Sequence, residues 1–133
     1  MTAEARAAAL AVACGSPGSA LEFARRDLSG IYGLMVRIME NGDADLALRG
    51  ALIGEIGPRA DREQQLAVIE TARMIVANGA QNADRGRAAR MVEAHAMLAR
   101  LLAQAPIHNY DVATLTLQIG GLLASVAADR EAA

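Results

Sequence analysis

Residues 112–128, VATLTLQIGGLLASVAA, are 17 consecutive uncharged positions held between Asp111 and Asp129, and what they form decides the fold. A membrane span needs about 20 predominantly apolar residues. This run is shorter and carries Gln118, two threonines, a serine and two glycines, so it reads as a buried helix. Val112, Leu115, Ile119, Leu122 and Val126 recur at spacings of three and four, which sets one apolar helical face. A second stripe, Leu117, Gly121, Ala124 and Ala128, is mostly small, so another helix backbone can approach along it, and these four residues are the candidate subunit interface. A helix apolar on two faces is either central in its own bundle or shared with a neighbouring subunit, and the pattern alone leaves both readings open. Gly120-Gly121 in its middle implies close packing or a kink.

Working outward, the preceding segments carry the same periodicity. Met91, His95, Leu98 and Leu102 step by four, three and four within 86–104, where Pro106 ends the helix; the next begins near Asn109 or Asp111. Leu66, Ile69 and Val76 mark a helix to about Asn78, opened by Asp61 with Gln64 three residues on, a pattern resembling a capping box. The stretch NGAQNADRG, 78–86, reads as a loop. Leu28, Ile31, Met35 and Ile38 give an amphipathic helix that Asn41-Gly42 ends. Asp43 caps a further helix carrying Leu48, Leu52 and Ile56, stopped by Gly57-Pro58, although Gly50 and Gly54 weaken it. At the N-terminus a helix over Thr2–Cys14 closes at Gly15. Ser16-Pro17 then restarts one to about Arg26, since serine caps well and proline needs no amide partner at the first helical position. There is no internal repeat and no strand-like alternation. The expected architecture is an all-α, compact bundle of about five helices over 28–133, preceded by a helix-corner-helix over 1–27.

Composition agrees with helices. Of 133 residues, 53% are hydrophobic, mostly Ala, Leu, Ile, Val and Met, and the aromatic residues are Phe23, Tyr32 and Tyr110. A formal net charge of -2 gives no basic excess for a nucleic-acid site. All 13 basic residues are arginine, which excludes a Schiff-base lysine and the lysine of a phosphate-binding loop within this chain. Cys14 stands alone and cannot make an internal disulfide, and residues 1–20 lack the apolar segment of a secretory signal; both point to the cytoplasm.

Reactive groups are sparse. His95 and His108 have no metal-ligand or nucleophile spacing with Cys14; His95 reads as a partly buried seam residue, His108 as a turn residue and Cys14 as a small buried hydrophobe. Asp43 and Asp45, two apart, do not face each other on a helix and read as caps rather than as an acid–base pair. GSPGS, 15–19, follows a helix instead of a strand and matches neither phosphate-binding glycine motif, and Arg25-Arg26 reads as a solvated face. No catalytic, cofactor-binding or metal residues are expected.

Two stretches carry a family resemblance: LAVACGSPGSALEFA, 10–24, and LARLLAQAPIHNYDVATLTLQIGGLLA, 98–124. Together they resemble the delta-prime subunit of the bacterial DNA polymerase III clamp loader. That family carries a Gly-Ser-Pro-Gly-x-Ala-Leu element where its lid domain passes to its collar, matched here by Gly15, Ser16, Pro17, Gly18, Ala20 and Leu21. Its collar ends in a helix, a short turn and an apolar final helix, similar to residues 98–127. The resemblance implies that 1–27 is the end of the AAA+ lid and 28–133 the collar, in a chain that is the C-terminal part of a longer subunit. It also implies that Gly18 stands where related ATPase subunits carry a nucleotide-sensing arginine, which fits a non-hydrolysing member.

The expected function is then a non-catalytic oligomerisation domain, with no cofactor, that joins the clamp loader's delta and gamma/tau ATPase subunits and supports sliding-clamp loading in DNA replication. The alternative is a self-associating helical dimerisation or ligand-binding domain of a regulator, and a homo-oligomer is compatible with either. An enzyme using Cys14 and a histidine is a distant third.

Overall fold

The structure, a computed structural model, describes residues 28–57, 60–105 and 111–127. The expected lid segment 1–27, with Cys14 and the motif residues Gly15, Ser16, Pro17, Gly18, Ala20 and Leu21, lies outside them, as do His108 and Ala128. The described residues form five α-helices, α1 (Ser29–Asn41), α2 (Ala47–Ile56), α3 (Arg62–Gly79), α4 (Arg85–Gln104) and α5 (Val112–Val126), with one 3-10 turn, Ala80–Asn82, between α3 and α4. No strand occurs among them. Of the stretch read as a loop at 78–86, only Ala83 and Asp84 are extended; the rest is the end of α3, the 3-10 turn and the start of α4, because the backbone keeps turning to Asn82 before Asp84 caps the next helix.

The caps follow from side-chain chemistry. Asp61, Asp84 and Asp111 each accept the amide three residues on, Gln64, Arg87 and Thr114, at 2.7, 2.8 and 2.8 Å. Gly42 and Gly57 close α1 and α2 at φ 75° and 82°, a left-handed backbone that glycine adopts without a Cβ clash. Gly50 and Gly54 do not interrupt α2.

The core is one cluster drawn from all five helices, including Met35, Ile38, Leu52, Ile69, Met91, Leu98, Ile119 and Leu123. Each such side chain removed from water contributes about 1.5–3 kcal/mol before entropy is counted. α3 and α4 pair side by side through their 3-10 connection, with Val76 near Met91 and Arg73 near His95, an antiparallel register. α5 packs against each of α1, α2, α3 and α4, so it is the central helix. Of the two readings left open by its two apolar faces, the first holds in the described chain.

Candidate functional site: the outward arc of the last helix

α5 alone among the five helices carries no charged residue; each of the others carries at least two. Its buried arc, Val112, Leu115, Thr116, Ile119, Gly120, Leu123, Ala124 and Val126, meets the bundle. Its outward arc holds Ala113, Thr114, Leu117, Gln118 and Ser125, all exposed, with Gly121 half-buried, and Leu117 is 44% exposed. The hydroxyls on this arc are already used within the helix. Thr114 Oγ1 donates to Asp111 Oδ2 at 2.7 Å, and Ser125 Oγ donates to the Leu122 carbonyl at 2.6 Å. The surface offered outward is therefore methyl groups, Leu117, a glycine notch and the amide of Gln118. It can be covered without burying a charge, and the Gln118 amide is the one group on it that needs a hydrogen-bond partner when covered.

The structure brings only part of the expected stripe to this surface. Leu117 and Gly121 lie on it, whereas Ala124 is 6% exposed and belongs to the core. Leu117 and Ala124 are one heptad apart and so within about 20° of each other around the helix. They differ because the final turn of α5 is closed over: Arg90 of α4 donates from Nε to the Val126 carbonyl at 3.0 Å. The arc is completed instead by Ala113, Thr114, Gln118 and Ser125, which an apolar periodicity does not mark because three of the four are polar by type.

The two glycines in the middle of α5 have different surroundings. A Cβ on Gly120 would lie 2.6 Å from Arg49 Cγ and 2.8 Å from Cδ, so glycine there admits the Arg49 stem between α2 and α5. A Cβ on Gly121 would meet nothing within 4 Å. Arg49 in turn is held by Asp43, whose carboxylate is almost wholly buried. Arg49 Nε stands 3.3 Å from Asp43 Oδ2, and the amides of Leu48 and Arg49 donate to the two carboxylate oxygens at 2.9 Å each. Asp43 thus caps α2 as expected from sequence, but from three residues before the N-cap position, which Leu46 occupies in a left-handed conformation (φ 63°). Asp45 accepts the Ala47 amide at 3.1 Å. Both aspartates are structural acceptors.

The remaining candidates do not converge. His95 is half-buried on the α3–α4 seam, where Arg73 Nη1 lies 3.4 Å from its Nε2. Arg73 pairs with Glu70 at 2.5 Å, and that hydrogen bond holds its guanidinium above the ordinary arginine value. Beside them an apolar cleft of about 210 Å³ is lined by Val76, Ala77, Ala80, Met91, Val92 and His95, with Val92 67% exposed at its edge. No group of three or more His, Cys, Asp or Glu residues suited to a metal ion occurs among the described residues, and no helix there is long and apolar enough to cross a membrane.

Comparison of the chain with protein-family models, with curated proteins and with solved structures gave no match.

Proposed function

We propose that the chain is a non-catalytic assembly domain, the collar of a clamp-loader delta-prime subunit, and that it joins the delta and gamma/tau ATPase subunits through the outward arc of α5. The observation that carries the reading is the charge-free arc around Leu117 and Gly121 on a helix that is already the centre of its own bundle. A central helix that also keeps an uncharged strip outward is suited to extending helix packing from one subunit into the next. The Gly-Ser-Pro-Gly resemblance supplies the identity of the partners, and the all-helical bundle accords with a collar. Such an interface works by shape and burial, so the reading requires no reactive group, cofactor or metal, and it places the protein in the cytoplasm with the replication machinery.

The test is co-sedimentation of the 133-residue chain with purified delta and ATPase subunits, for the parent and for Leu117→Arg. One heteromeric complex with the parent, lost with Leu117→Arg, is the expected result, because a guanidinium placed in the arc would be buried without a partner. A homodimer that ignores those subunits would replace this reading with the self-associating regulatory bundle.

A further inference from the structure

α4 turns Met91, Ala94, Leu98 and Leu101 to the core. Its opposite side carries Val92, Ala96, Ala99 and Ala103, all exposed, at spacings of four, three and four. At about 100° per residue these four lie within about 60° of one another, an apolar seam directed away from the bundle. Val92 is 67% exposed, and it and Met97 on the same helix are two of the four large apolar side chains left exposed among the described residues. A seam with this repeat lets two helices interdigitate, and its alanines let their axes come close.

The charges beside the seam say what covers it. Glu93 and Arg100 flank it on the same edge, one heptad apart, and both are exposed. About 10 Å of helix rise separates them, so they do not pair with each other, and neither takes part in an ion pair or side-chain hydrogen bond of the described chain. A second copy of α4 laid antiparallel keeps the two seams in step in two registers. One sets Ala96 against the second copy's Ala99 and Val92 against its Ala103, and it brings Glu93 beside the second copy's Arg100, twice by the two-fold axis. The other, shifted by a heptad, brings Glu93 beside its own counterpart, two like charges. In a parallel pair the facing edge is that of Ala88, His95 and Leu102, which offers Arg100 no acid. The free charges therefore select one self-complementary docking.

We infer that the outer face of α4 is a homodimer surface on which a second copy of this chain docks antiparallel, with Glu93 of each copy against Arg100 of the other. It lies on a different helix from the contact proposed through α5 and does not rest on it. The test is sedimentation of the full 133-residue chain alone, from micromolar to millimolar concentration. It compares the parent, Glu93→Arg, Arg100→Glu, an equimolar mixture of those two variants, and Leu117→Arg. The parent is expected to dimerise reversibly. Each charge reversal sets two like pairs face to face and is expected to weaken the dimer at least about tenfold. The mixture is expected to recover the parent's association, since one variant is basic at both positions and the other acidic at both. Leu117→Arg is expected to leave the dimer intact. A parent that stays monomeric overturns the inference and leaves the α5 reading standing. Reversals that keep the parent's affinity, or a mixture that fails to recover it, also overturn the inference. A dimer lost with Leu117→Arg instead would move self-association to α5 and overturn both.

Discussion

Gly120 and Gly121 are neighbours in one helix, and the difference between them is what their missing side chains leave room for. At 120 the space is filled by Arg49, whose stem carries the Asp43 ion pair onto α5; at 121 it is open. A glycine inside a helix costs roughly 0.5–1 kcal/mol relative to alanine. Gly121→Ala is therefore expected to stabilise the isolated chain by about that amount. Gly120→Ala is expected to fall below the parent, because the new methyl displaces the Arg49 stem and with it the charge facing the buried Asp43 carboxylate. Urea midpoints of the two variants check this, and equal gains would remove Arg49 from the account. The glycine pair was legible in the sequence as close packing or a kink. Close packing at Gly120 is what the structure holds, but the partner residue, 71 positions away, left no local trace.

Among the elements, α5 depends visibly on its cap. The Asp111 carboxylate accepts the Thr114 amide and the Thr114 hydroxyl, and these bonds lower its pKa from the ordinary 3.8. The folded chain therefore holds that proton less tightly than the unfolded one. The cap's contribution is complete above pH 3.8 and is lost as pH falls below that value through the folded pKa. Asp111→Asn, which keeps a capping oxygen without the titration, is expected to flatten the loss of urea stability in that acid window, and an unchanged slope would assign the acid sensitivity to other carboxylates. Such caps are legible because the chemistry is local: Asp61 was recognisable by type and position, and Asp111 as one of two possible starts, with Asn109. Asp43 was recognisable as a cap, but its reach across Leu46 was not, since a left-handed leucine is something no propensity anticipates. The turn after α3 was misread for the opposite reason, as polar and glycine-bearing residues there continue the helical backbone. In the candidate site, Leu117 and Gly121 were readable from periodicity, whereas the burial of Ala124 is set by how α4 closes over the end of α5.

For the whole molecule, the arrangement makes stability and assembly separable. α5 is packed by all four other helices, so a cavity at its centre is felt by each of them, while its outward arc contributes little to the fold. Ile119 is fully buried. Ile119→Ala is expected to lower stability by about 2–5 kcal/mol. The loss should be one cooperative transition, with amide protection in α1, α2, α3 and α4 falling together in hydrogen exchange. Helices that lost protection in separate steps would mean that the α3–α4 pair holds together without α5, and the central role assigned to α5 would fail. Leu117→Arg, two residues earlier but on the outward arc, is expected to leave urea stability close to the parent's while removing partner binding. The two substitutions lie on opposite sides of one helix turn, so a matched loss of stability in both would show that the arc belongs to the fold rather than to a neighbour.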